Sequence, residues 1–137
     1  MEQHKMTRIV LFIAGLMISV AGAASAGETL LGVWQTERDA KNQTGYVRIY
    51  PCGNRLCGTL IASVDKHGKP SGSPNVGRRI IWNVRSVEGW GKGNMYVPVM
   101  RNEYPTVLIA TGNRLEVKVC NTVGDCDTQT WKRTLTN

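Results

Sequence analysis

The residues with chemistry to offer are four cysteines, the histidine His67, and a set of tryptophans, tyrosines and arginines. The cysteines stand at 52, 57, 120 and 126. Cys52 and Cys57 bracket Gly53-Asn54-Arg55-Leu56. Cys120 and Cys126 bracket Asn121-Thr122-Val123-Gly124-Asp125. More than one pairing is possible. The pairing expected is Cys52–Cys57 with Cys120–Cys126. Each short stretch would close a hairpin within the ~4.4–6.8 Å Cα separation that a disulfide requires. The rival is a four-cysteine zinc site, whose common ribbon spacings are not matched here. No metal is therefore expected.

Nucleophilic catalysis finds little support. His67 has Ser63, Ser71, Ser73 and Ser86 in the same half of the chain, but no nucleophile-elbow motif accompanies them. Asp65, Glu88, Glu103 and Glu116 are scattered rather than paired as two-carboxylate chemistry needs. Asp125 and Asp127 flank Cys126 in a turn-forming stretch, where turn chemistry and solubility account for them. No phosphate-cradling glycine loop is present. No catalytic residue is assigned, no cofactor is expected, and an enzyme with an unrecognised site ranks last.

Binding is better supplied. Trp82, Trp90, Tyr96 and Tyr104 fall in the middle of the chain, and Arg78 and Arg79 precede Trp82. Aromatic rings offer large contact area, and arginine pairs well with anions. Arg79, Trp82, Trp90 and Tyr96 are the candidate ligand contacts, expected to line the mouth of a barrel.

Those residues must be positioned by strands. Period-2 alternation recurs, most clearly in Leu115-Glu116-Val117-Lys118-Val119 and Tyr46-Val47-Arg48-Ile49-Tyr50. Turn signals separate such runs at Gly53-Asn54, Gly91-Lys92-Gly93-Asn94, Gly112-Asn113 and Gly124-Asp125. Strands are expected over 30–37, 44–51, 56–64, 79–87, 93–98, 105–111, 114–120 and 127–134. Residues 65–77 hold Gly68, Pro70, Gly72 and Pro74 and are expected to form a mobile surface loop.

The fold class expected is all-β, a small up-and-down antiparallel barrel of about eight strands with two local disulfides. Its first and last strands must then meet. Gly32-Val33-Trp34 lies on the first and Trp131-Lys132-Arg133 on the last. Arg133 over the Trp34 ring, with Trp131 beside it, would seal one end and contribute ~0.5–2 kcal/mol through a cation–π contact. This Gly-x-Trp start with a late arginine resembles the lipocalin, or calycin, superfamily.

Residues 1–26 read as a cleaved signal peptide. Lys5 and Arg8 precede an apolar run over 9–24, and Ala24-Ser25-Ala26 is a small-residue cleavage box. The remainder, 27–137, is expected to be one barrel domain, periplasmic or secreted. The precursor has a formal net charge of +7, and loss of Glu2, Lys5 and Arg8 leaves +6. The excess suits anionic partners. Its cations are scattered, and no nucleic-acid motif is present.

A likeness covers nearly all of 27–137. Gly32-Val33-Trp34, Val47-Arg48-Ile49, Tyr50-Pro51-Cys52-Gly53 and Leu56-Cys57-Gly58 are followed by Trp90-Gly91-Lys92-Gly93-Asn94-Met95-Tyr96-Val97-Pro98. Tyr104, Leu115-Glu116-Val117 and Thr130-Trp131-Lys132-Arg133 complete the pattern. In order and spacing the chain resembles the bacterial family called domain of unknown function 2147. That resemblance implies an exported, mainly β domain with no established activity. The chain departs from the pattern at Ser73-Pro74-Asn75 and after Pro98.

The leading functional expectation is a periplasmic, non-enzymatic barrel. It would bind a small apolar or amphipathic ligand, or an envelope component, at its open end. The second is an interaction module that docks a protein or an anionic polymer. No nucleic-acid partner and no membrane span after cleavage are expected, and the oligomeric state is left open.

Overall fold

The computed structural model describes residues 29–134. The signal peptide expected over 1–26 lies outside the described residues. Between 29 and 134 the chain forms β1 (Gly32–Gln35), β2 (Thr44–Cys52), β3 (Arg55–Val64), β4 (Arg79–Val87), β5 (Trp90–Val97), β6 (Asn102–Thr111), β7 (Arg114–Cys120) and β8 (Cys126–Arg133). Each strand pairs with its sequence neighbour, and β8 returns to β1 to close the barrel. This is the all-β, up-and-down architecture that the alternation implied. Both local disulfides, Cys52–Cys57 and Cys120–Cys126, are formed, and among the described residues no cysteine is free.

Alternation builds the core directly. Val47 and Ile49 on β2 are buried with exposed Arg48 between them, and Leu115 and Val117 on β7 are buried around exposed Glu116. Cross-strand partners share a face. Leu108 opposes Val117, Ala110 opposes Leu115, and Leu115 opposes Trp131, so the apolar layer runs continuously around the inside. Trp34, Trp131, Ile49, Ile81 and Leu108 fill the interior. An eight-stranded barrel is narrow enough for its own side chains to do this.

Two elements differ from expectation. Gly91-Lys92-Gly93-Asn94, read as a turn, lies inside β5, and the true turn is Glu88-Gly89. Both turn residues have positive φ, 47° and 80°, as a two-residue type I′ hairpin requires. The glycines serve packing instead. A Cβ on Gly93 would lie 2.7 Å from Val84 Cγ2 and 2.8 Å from the Trp82 carbonyl oxygen. One on Gly91 would lie 2.6 Å from Leu30 Cδ1. The second difference is in β4, where the register shifts between Trp82 and Arg85 and Asn83 takes a φ of 55°. This bulge inserts one residue, so Ile81 and Val84 both reach the core although three apart in sequence.

The 65–77 loop, expected to be mobile, carries its own hydrogen bonds. The Asp65 carboxylate accepts from the His67 and Lys69 backbone N–H groups at 2.8 and 3.0 Å. Ser71 donates its backbone N–H to the Ser63 carbonyl and its hydroxyl to the Ser63 hydroxyl. The Gly77 N–H reaches the Leu60 carbonyl at 2.7 Å.

One end of the barrel is sealed at the β1–β8 seam. Only Trp34↔Arg133 and Gln35↔Lys132 pair across it. Fully buried Trp34 donates its indole N–H to the Leu30 carbonyl at 2.9 Å. The Arg133 guanidinium lies 4.1 Å over the Trp34 ring. It donates to the Leu31 and Thr29 carbonyls at 2.7 and 2.8 Å. Burial lowers its pKa from the ordinary guanidinium value, yet it remains a cation at any physiological pH. Beyond Gln35 the Glu37 carboxylate takes over, accepting from the Thr130 N–H at 2.8 Å.

Arg133→Lys keeps the charge and loses the fork onto two carbonyls. Urea unfolding should show a loss of about 1–3 kcal/mol, and of about 2–4 kcal/mol for Arg133→Ala. Gly93→Ala should cost about 1–3 kcal/mol by forcing β4 and β5 apart.

Candidate ligand-binding surface

In an up-and-down barrel the connections alternate between its two ends. Arg133 reaches the Gly112 carbonyl in the β6–β7 turn, so the sealed end holds the turns after β2, β4 and β6. The open end holds the loops 36–43, 65–78, 98–101 and 121–125. Its mouth is shallow. A cleft of about 90 Å³ is lined by Met100, Tyr104, Val119, Asn121, Asp125, Asp127 and the Cys120–Cys126 disulfide. Pockets for drug-sized ligands are roughly 300–1,000 Å³. A second groove of about 180 Å³ lies on the outer wall, lined by Ile109, Thr111, Arg114, Glu116 and Thr130. Among the described residues every buried polar side-chain atom has a hydrogen-bond partner. The packed interior thus leaves no orphaned group that asks for a ligand.

The four candidate contacts do not converge on an internal cavity. Arg79 pairs with Thr59, which pairs with exposed Arg48, so Arg79 points outward. Trp82 follows inward-facing Ile81 and pairs with Asn94, so it too lies on the outer wall, half-buried. Tyr96 follows inward-facing Met95 and pairs with Glu103 on the same wall, and its half-buried ring also packs against the edge of the core. Arg79, Trp82 and Tyr96 therefore sit around the outside of the open half. Trp90 does not join them. It is 44 % exposed at the sealed-end start of β5, between Val87 and Ile109. Six residue steps along β5, about 20 Å, separate it from Tyr96. The alternation that put hydrophobic residues inside also put these rings outside.

Further contacts tie Arg78 to Tyr96 and bring in Tyr50 and Thr59, which the sequence did not single out and which lie lower on the wall, toward the β2–β3 turn. The Arg78 guanidinium lies 3.5 Å from the centroid of the half-buried Tyr96 ring, a cation–π stack. The Tyr50 and Thr59 hydroxyls are 3.0 Å apart. The hydrogen bond with Thr59 holds the Tyr50 phenol below its ordinary pKa, and the Arg79 charge and hydrogen bond add to this. Thr59 reaches Arg79 only through two register shifts between β3 and β4, so strand alternation alone could not reveal the cluster.

Other candidates are not brought together. Ser63 and Ser71 bond to each other, and His67 meets Asp65 through its backbone N–H. The His67 and Lys69 backbone N–H groups hold the Asp65 carboxyl below its usual pKa, as an Asx turn does. Among the described residues no group of three His, Cys, Asp or Glu side chains could hold a metal ion. No helix there is long and apolar enough to cross a membrane.

The Tyr50 cluster has a direct spectroscopic readout. In an ultraviolet pH titration, one tyrosine should ionise below the ordinary value of about 10. Thr59→Val should move that step upward, because it removes the hydrogen bond that favours the phenolate.

Comparison with known proteins places this geometry. A solved structure, protein HP1028 from Helicobacter pylori, described as belonging to the lipocalin family, superposes with a TM-score of 0.60 at 19% identity. The superposition covers 77% of this chain and 83% of that one. At that identity the likeness shows the fold alone. No curated protein matches the sequence. The family model described as "Uncharacterized protein conserved in bacteria (DUF2147)" matches residues 32–133, from the first strand to the last. The chain is therefore a member of the domain of unknown function 2147 family, built as a lipocalin-like barrel.

Proposed function

We propose that this protein is an exported, periplasmic, non-enzymatic binding barrel. It holds an amphipathic ligand or an anionic envelope component against the outside of its open end. The observation that carries this reading is the set of guanidinium and aromatic groups that runs from the open rim down the outer face of β2 to β5. Arg78 lies over Tyr96, and Arg79 stands beside the Tyr50–Thr59 pair. A guanidinium binds carboxylate or phosphate through paired donors, and the adjacent rings of Trp82 and Tyr96 take an apolar tail or a flat face. The filled interior directs a ligand to this rim instead of a deep calyx. Export is supported by two disulfides, which persist in oxidising compartments. The basic, apolar and small-residue pattern of 1–26 points the same way.

Native mass spectrometry of protein purified from the periplasm tests the reading. The expected mass is that of a chain beginning at Gly27 and carrying a retained small molecule. The Arg79→Gln/Tyr96→Ala double variant should retain about tenfold less of it, as loss of a charge-assisted contact implies. An empty native protein, or equal retention by the variant, overturns the proposal.

A further inference from the structure

The outer wall has a sharp charge asymmetry. Strands β2 to β5 carry Arg48, Arg55, Arg79, Arg85 and Lys92 and no aspartate or glutamate. Strands β6 to β8 carry Glu103, Glu116 and Asp127 among their cations. Arg48, Arg79, Arg85 and Lys92 are all exposed. Arg48 and Arg79 flank the same residue, Thr59. Arg85 and Lys92 are directly paired across β4 and β5. Like charges directly opposite each other destabilise a sheet, and no acidic residue on these strands relieves them. Stability alone does not explain the arrangement, whereas a polyanion laid across it would.

Aromatic rings interleave with the cations. The outward face of β5 reads Trp90, Lys92, Asn94, Tyr96, a ladder of about 20 Å with a ring at each end. Trp82 lies beside it, paired with Asn94. This ladder joins Trp90 to the rim residues from which it is otherwise separate.

We infer that the β2–β5 wall docks an anionic polysaccharide chain. The inference rests on the envelope-binding reading above and names its partner. The chain runs along β5 between Trp90 and Tyr96, with its acidic groups on Lys92, Arg85 and Arg79. A flat membrane fits this wall poorly. The cations spread over four of the eight strands of a closed barrel, so a plane touching Lys92 leaves Arg48 turned away. An extended chain lying along β5 needs only the neighbouring cations Lys92, Arg85 and Arg79, and the rings at either end of the ladder suit the faces of sugar rings.

Titration of the full mature protein with dextran sulfate and with unsulfated dextran provides the test. Sulfated polymer should bind with an affinity that falls with salt, and unsulfated dextran should bind far more weakly. The Arg85→Gln/Lys92→Gln variant should bind about tenfold less tightly, with a salt slope lower by about 2. Its thermal midpoint should be unchanged or higher, since a like-charge pair has been removed. Arg114→Gln/Lys132→Gln removes the other directly opposed cation pair, which has Glu116 on the same face. It should stay within about twofold of the unaltered protein. Trp90→Ala leaves the charge alone and should weaken binding about threefold. Equal losses from the two cation pairs, or unchanged binding by Trp90→Ala, overturn the inference. So does tighter binding of phosphatidylglycerol vesicles or a single-stranded oligonucleotide. Ligand retention at the rim, read separately in the Arg85→Gln/Lys92→Gln variant, should persist. Failure of the wall and failure of the rim reading are thereby told apart.

Discussion

Closing eight strands on themselves requires the first and last to meet, and here that seam is two residue pairs wide. One further backbone hydrogen bond, from the Thr134 N–H to the Val33 carbonyl at 2.9 Å, continues it. Side chains extend it at both ends. Arg133 lies across Trp34 and ties down the carbonyls of Thr29 and Leu31. Glu37 continues the ladder by accepting from the Thr130 N–H. The guanidinium suits this task because it satisfies several carbonyls and covers an aromatic face at once. Leu30 is carried in with the entering chain and presses on the glycines of β5. The sealed end is thus one packed unit of β1, β5, β8 and the residues before β1.

That unit has a consequence for function. Trp34, Trp131, Ile49 and Ile81 pack the interior, and the cleft at the mouth is shallow. The lipocalin-like topology is retained without a deep calyx among the described residues. On the proposed reading, recognition belongs to the outside. The rim offers Arg78, Arg79, Trp82 and Tyr96, and the wall below offers Lys92, Arg85 and Trp90.

Much of this was legible beforehand because a half-buried antiparallel strand writes its two faces into alternate residues. Leu115-Glu116-Val117 and Val47-Arg48-Ile49 located β7 and β2 without ambiguity. Short cysteine spacings around turn residues gave both disulfides. The Gly-x-Trp and Trp-Lys-Arg segments marked the strands that meet. Where glycine was taken as a turn signal, the reading failed. Gly91 and Gly93 are in β5 because Leu30 and Val84 occupy the space a Cβ would need.

From the chain alone came the element order, the inward and outward residues of most strands, and the identity of the closing pair. These depend on local periodicity and on the topological need for the ends of a barrel to join. Tertiary structure decided which outward residues are neighbours. The bulge at Asn83 and the shifts between β3 and β4 set the register that brings Arg79 to Thr59 and Arg85 to Lys92. A one-residue slip changes every such pairing, and no local pattern records it. The same register separated Trp90 from the rim and set Arg85 opposite Lys92 on strands that carry no acidic residue.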